Sequence, residues 1–266
     1  MKVALITLSP EGEALLRKMK EDWQDADTFL HKDAVSSSEG RKFTSITDLT
    51  AEIFISYQGF VFVAPCGVAV RAIAPHIRHK TSDPAVVVVD IGGRYAISLL
   101  SGHEGGANDL ALKVANILGS EPVITTTSEA RKTVIVGVGC RRGTGKERIA
   151  GAVKEALRIA EIDVADVRLL ASADVKKDEI GLLEAARELQ ILVRFIPADE
   201  IRRSTRSFAS SELVKKRLNL PAVAEPAALL AGRRTTLILP KTIINGVTVA
   251  LARESCMWSE SVREDR

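Results

Sequence analysis

A histidine, a carboxylate and an amide stand among glycines in Ser98-Leu-Leu-Ser-Gly-His-Glu-Gly-Gly-Ala-Asn-Asp109. His103 can take up or release a proton near neutrality, Glu104 can orient or assist it, and Asn108 offers a side-chain donor. Ser101, Gly102, Gly105 and Gly106 would bring backbone N–H groups up to an anion or a developing oxyanion. Glycines alone mark tight turns. The imidazole, carboxylate and amide among them favour a site that holds an anion and moves a proton.

Two further clusters carry charge. Arg71, His76, Arg78, His79 and Lys80 occur in a stretch without Asp or Glu from Ile53 to Ser82. Arg71, His79 and Lys80 read as a lip for carboxylates, while His76 reads better as an ion-pair partner of a distant acid. Gly137-Val-Gly-Cys-Arg-Arg-Gly-Thr-Gly145 places Arg141 and Arg142 at a helix start, as an anion site would. A sharp turn with solvated arginines fits it nearly as well.

Several chemistries find no motif. Arg142 occupies the third glycine position of a dinucleotide loop. Cys140 replaces the first glycine of a P-loop, and Glu147 follows Gly145-Lys146. No H-x-x-x-H or H-E-x-x-H spacing exists, so no protein-bound metal is expected. Without a Gly-x-Ser-x-Gly elbow, Ser101 is a weak nucleophile candidate. Cys66, Cys140 and Cys256 stand far apart and read as free thiols.

The elements that must position these residues alternate. A strand over Lys2–Leu8 and a helix over Glu11–Asp22 come first, and residues 24–48 read as polar with a loop at Ser36–Gly40. Ile53–Ser56 and Gly59–Ala64 then read as apolar strand segments, followed by a helix over Val68–Ala74. Ala85–Asp90 and Tyr95–Leu100 form an antiparallel pair through Gly92-Gly93. A helix over Leu110–Leu118 and a short strand over Pro122–Thr126 close the first half. The pattern restarts with a strand at Thr133–Gly139 and a helix from Lys146 towards Ile162. Val167–Ala171, Glu179–Leu189, Leu192–Ile196 and Ser211–Leu218 continue it as strand, helix, strand and helix. A short helix within Pro221–Gly232 and strands at Thr235–Pro240 and Val247–Ala252 complete it. The expectation is two α/β domains, residues 1–128 and 133–255, each with a mostly parallel sheet flanked by helices.

Composition narrows the function. The chain has 266 residues, 46% apolar and 27% charged, enough for two real cores. Aromatic content of 4% speaks against a base-stacking or sugar-binding surface, so no nucleic acid is expected. No apolar run approaches the roughly 20 residues of a membrane span, and Met1–Pro10 reads as a first strand, too short in apolar residues for a signal peptide. A cytoplasmic protein is expected. Net charge is +3, split as −4 over residues 1–130 and +7 over 131–266. The basic half suits a polycarboxylate or phosphorylated partner.

Gly59–Arg71, His79–Asp90, Ser98–Asn108 and Pro122–Thr126 resemble the amino-terminal domain of the cobalt-precorrin-5A hydrolases, the CbiG family of anaerobic cobalamin biosynthesis. Gly137–Gly143, Lys177–Leu182, Val223–Leu230, Lys241 and Val247–Leu251 resemble its carboxy-terminal domain, itself similar to a small protein of the aerobic pathway. The matches run in order from Ile53 to Arg253. Many members carry a further segment between the domains, whereas Thr127–Lys132 joins them directly here. The family's aspartate after Ile-Thr-Thr has no obvious counterpart, with Ser128-Glu129 in its neighbourhood.

The resemblance implies hydrolysis of the ring A δ-lactone of cobalt-precorrin-5A, with release of acetaldehyde and formation of cobalt-precorrin-5B. His103, Glu104 and Asn108 would then be catalytic. Arg71, His79, Lys80, Ser101, Gly102, Gly105, Gly106, Arg141 and Arg142 would bind the substrate. No cofactor is implied, because the cobalt arrives in the substrate. Transient contacts with other enzymes of the pathway and a homo-oligomer stay open. A non-catalytic tetrapyrrole-binding or channelling protein is the alternative.

Overall fold

The computed structural model describes residues 1–34, 39–208 and 219–256. The chain forms two compact units, Met1–Thr126 and Thr127–Arg266.

In the first unit the strands are β1 (Val3–Thr7), β2 (Asp27–His31), β3 (Arg41–Phe43), β4 (Gly59–Val63), β5 (Ala85–Val89), β6 (Tyr95–Leu100) and β7 (Glu121–Val123). They form one sheet in the order β3-β2-β1-β4-β5-β6-β7. The first five are parallel; β6 runs antiparallel to β5, and β7 parallel to β6. Alternation sorts the strands' side chains between two layers. Val3, Leu5, Val61 and Val87 pack against α1 (Pro10–Asp22) and α4 (Ala107–Leu118). Ala4, Ile6, Phe60, Phe62 and Val88 face α2 (Ile46–Ile53) and α3 (Cys66–Ile73).

Two sequence expectations for this unit are corrected. Residues 24–48, read as polar, contain β2, β3 and the start of α2. β2 has only Phe29 and Leu30 as core residues, and pairing to the buried β1 makes it a strand despite that. Ile53–Ser56, read as a strand, is the end of α2 and a turn. Ser45 caps that helix by accepting the Asp48 N–H, and Leu49 and Ile53 bury one face.

The reversal of β6 matters for function. Leu100 pairs with Val86, so β6 ends at the edge where β1, β4 and β5 begin. The segment that follows α3 and feeds β5 reaches the same edge, as does the chain leaving β7.

The second unit holds α5 (Thr127–Ala130), β8 (Val134–Gly139), α6 (Lys146–Ile159), β9 (Val167–Ala173) and α7 (Ile180–Leu189). It continues with β10 (Leu192–Ile196), α8 (Ala198–Arg203), α9 (Ala224–Leu230), β11 (Thr235–Ile244) and β12 (Val247–Glu254). Sheet order is β10-β9-β8-β12-β11, with the first three strands parallel and the final hairpin antiparallel. The hairpin turns at Asn245-Gly246, both at positive φ, as a two-residue turn requires. The helix expected over Ser211–Leu218 lies outside the described residues.

α6 and α7 cover one face through Ile149, Val153, Leu182 and Ala185. The short α9 lies on the other against Ala250 and Ala252. Gly137 permits this approach, because a Cβ there would sit 1.9 Å from the Ala224 carbonyl oxygen. Arg194 and Arg168 donate to the Ala231 carbonyl at 3.0 and 3.3 Å, placing positive charge at the end of α9.

Candidate functional site

Ser101 turns the chain out of β6 in the left-handed region, with φ 58°. Its carbonyl accepts the N–H groups of Gly105 and Ala107, both at 3.1 Å, and the Gly102 carbonyl accepts that of Asn108 at 3.0 Å. The turn thus closes the start of α4 with its own carbonyls. A Cβ on Gly105 would stand 2.3 Å from the Ser101 Cβ, and one on Gly102 would stand 2.6 Å from Cγ2 of Thr126. These glycines are required by close packing.

This geometry corrects three sequence readings. The Gly105 N–H is already bonded within the turn, so it is not an oxyanion donor as the turn stands. The Ser101 hydroxyl is buried without a hydrogen-bond partner among the described residues and does not reach the surface. Asn108 is 3% exposed, and its amide joins Ser98 and Thr126 instead of facing outward. The N–H groups of Gly102, His103 and Gly106 make no hydrogen bond among the described residues. His103 itself is exposed at the tip of the turn.

The segment between α3 and β5 packs beside this turn. Asp83, 6% exposed, accepts the Arg78 N–H through both carboxylate oxygens at 2.9 and 3.1 Å. Its carbonyl lies 3.2 Å from where a Gly105 Cβ would be. Lys80 Nζ donates to Glu104 at 2.6 Å and so ties the two segments together. That hydrogen bond above all, with the Glu104 N–H, holds the Glu104 carboxyl below the usual glutamate range. Glu104 is therefore an ionised neighbour for His103 and a poor proton donor.

The basic stretch thus finds its acid 24 residues further on. His79 Nδ1 lies 2.8 Å from the Thr81 hydroxyl, on the same exposed segment. Arg71 is not brought to the turn. Its guanidinium folds back along α3 to Gly67, at the sheet edge where β4 ends.

In the second unit, Arg141 and Arg142 lie on the exposed turn between β8 and α6. Glu179, from the segment preceding α7, sends a buried carboxylate into this turn. It accepts the Gly143 N–H at 3.0 Å and Lys176 Nζ at 3.1 Å, with Arg142 Nε at 3.8 Å. Burial alone would push its carboxyl up, but these three partners hold it below the ordinary value. The anion that the turn was expected to bind from outside is supplied by the protein. Sequence reasoning assigned Glu179 no role; its signal was its place in Lys177–Leu182. Burial pushes the Cys140 thiol up, which leaves it a weak nucleophile. A shallow cavity of about 440 Å³ adjoins this turn, lined by Arg142, Lys146, Glu179 and Ile180 among others.

Residues 48–129 match the family model described as "Cobalamin synthesis G N-terminal", and residues 134–252 match "Cobalamin synthesis G C-terminus". The chain belongs to the CbiG family. It is similar to the cobalt-precorrin-5A hydrolase of Priestia megaterium, 25% identical with 94% of each chain covered. It resembles equally the enzyme of that name from Salmonella typhimurium, 25% identical over 94% of this chain and 97% of the relative. Half of this chain matches 88% of Protein CobE from Sinorhizobium sp at 32% identity. The first two alignments run over 352 and 348 positions, more than the 266 residues present, so those CbiG relatives carry sequence without a counterpart here. Only residues 130–133 separate the two family matches.

Among the described residues, no three His, Cys, Asp or Glu side chains converge as a metal site would require. No described helix is long and apolar enough to cross a membrane.

Proposed function

We propose that this chain hydrolyses the ring A δ-lactone of cobalt-precorrin-5A, releasing acetaldehyde and giving cobalt-precorrin-5B. Coverage supports this reading most. Two relatives named for that activity align along 94% of the chain and nearly all of their own length.

In the proposed chemistry His103 accepts a proton from water as the water oxygen bonds to the lactone carbonyl carbon. The ester C–O bond then breaks, and the imidazolium returns the proton to the leaving oxygen. Glu104, held ionised by Lys80, stands next to His103 in the turn and does not compete with it as a proton donor. The unpartnered N–H groups of His103 and Gly106 are the donors available to the oxyanion. Deprotonation of the freed alcohol lets its carbon leave as acetaldehyde; the C–C electron pair passes to the macrocycle, which takes up a proton. Lys80 and His79 meet carboxylates on the rim of the substrate. The cobalt stays in the substrate, and the reaction belongs in the cytoplasm beside the other steps of the pathway.

Incubating the purified protein with cobalt-precorrin-5A tests this directly. The expected outcome is one acetaldehyde per substrate with the matching change in corrinoid mass. An unchanged corrinoid and no aldehyde would overturn it.

A further inference from the structure

Two sequence motifs meet in one hydrogen-bonded pin, buried at Ser98 and Asn108 and half-buried at Thr126. Ser98 Oγ donates to Asn108 Oδ1 at 2.8 Å, and Asn108 Nδ2 donates to Thr126 Oγ1 at 3.0 Å. Ser98 is 9% and Asn108 3% exposed. The three residues come from β6, the first turn of α4 and the chain beyond β7, so the pin crosses three elements. Gly102 lies directly on it, with the Thr126 methyl 2.6 Å and Asn108 Oδ1 3.0 Å from where its Cβ would be. Gly102 immediately precedes His103.

We propose that Ser98 and Thr126 are positioning residues for His103, acting through Asn108 and Gly102. The pin holds the backbone on one side of the imidazole while Gly105, seated on Ser101 and Asp83, holds the other. Neither Ser98 nor Thr126 reaches the exposed tip of the turn, so their effect passes through geometry and not through contact with substrate. Reacting groups misplaced by about 1 Å lose up to roughly 100-fold in rate. Loss of the pin is therefore expected to lower kcat and leave KM nearly unchanged.

The inference rests on the hydrolase reading, and Thr126→Val tests it separately. Valine keeps the methyl against Gly102 and removes the acceptor of the Asn108 amide; Thr126→Ser restores that acceptor. Activity on cobalt-precorrin-5A is measured for all three proteins, together with hydrogen exchange at the Gly105, Ala107 and Asn108 amides. Thr126→Val is expected to lose about 10- to 100-fold in kcat with KM within about twofold. Its three amides should exchange faster while the core strands keep their protection, and Thr126→Ser should recover most of both. Full activity and native exchange in Thr126→Val would overturn the proposal, as would an equal loss in Thr126→Ser. An inactive wild type would sink the hydrolase reading instead, and amide exchange would still report whether the pin orders the turn.

Discussion

The turn at 101–106 and the turn at 139–145 are both rich in glycine but need it for different reasons, Gly102 and Gly105 for close packing and Gly143 for its φ of 74°. Both lead from a strand into a helix, and both bring backbone N–H groups near cationic side chains. In the second unit a buried carboxylate, Glu179, enters the turn and takes the Gly143 N–H and the Lys176 ammonium. In the first unit, among the described residues, no buried carboxylate enters the turn, and that of Asp83 beside it takes the Arg78 N–H. The carbonyls of Ser101 and Gly102 bond the N–H groups at the start of α4, and His103 remains outside. Similar local patterns therefore build a self-satisfied structural turn in one place and a turn that presents a titratable side chain in the other.

Removing the imidazole is the sharpest way to break this contrast. His103→Ala should lower kcat by about 10²- to 10⁴-fold, the usual worth of a general acid–base group, with unchanged thermal unfolding. A variant that folds and still releases acetaldehyde at the native rate would make the first turn as structural as the second. Glu179→Ala should behave oppositely. It leaves Lys176 buried without its acid and should cost about 3–5 kcal/mol in denaturant unfolding.

The same carboxylate predicts a pH dependence. Glu179 has a folded-state pKa below its unfolded value, so its stabilisation is present above about 4.5 and fades as pH falls through the folded value. Melting temperatures followed into acid should therefore fall less steeply for Glu179→Gln than for wild type. Parallel curves would show that Glu179 is not the charge that matters.

Smaller effects sharpen the comparison. Gly105→Ala forces a methyl against Ser101 and should cost about 1–3 kcal/mol. Gly143→Ala meets open space, and only its φ of 74° resists, at about 1–2 kcal/mol. Glu104→Gln removes the charge from a solvent-exposed pair with Lys80 and should leave denaturant unfolding nearly unchanged. A larger loss would mean that this pair, and not Gly105, holds the two segments together.

Much of the fold was legible because its strands are buried runs. Gly59–Val63 and Ala85–Val89 are apolar throughout, and Val134–Gly139 reads the same way. β2 was not legible, because Asp27 and His31 surround two core residues and only its neighbour β1 makes it a strand. α2 was hidden differently: its cap and its Leu49–Ile53 spacing are plain, but the apolar Ile53-Phe-Ile55 imitates a strand. At the site, sequence picked out the loop and its histidine. It misjudged Asn108 and Ser101, because whether a polar side chain faces outward depends on contacts made by distant residues. Glu179 escaped for the same reason, lying 36 residues from the glycine it bonds.

The place where the first unit ends has a consequence for how such a protein can grow. Thr126 is both the last residue of that unit and one leg of the pin beneath the histidine turn. A longer connection grafted at residue 127 would emerge at the base of that turn, after every strand of the sheet has been laid down. Added length there leaves every strand pairing of the first sheet unaltered, so a lineage can lengthen or shorten the connection while inheriting the same floor.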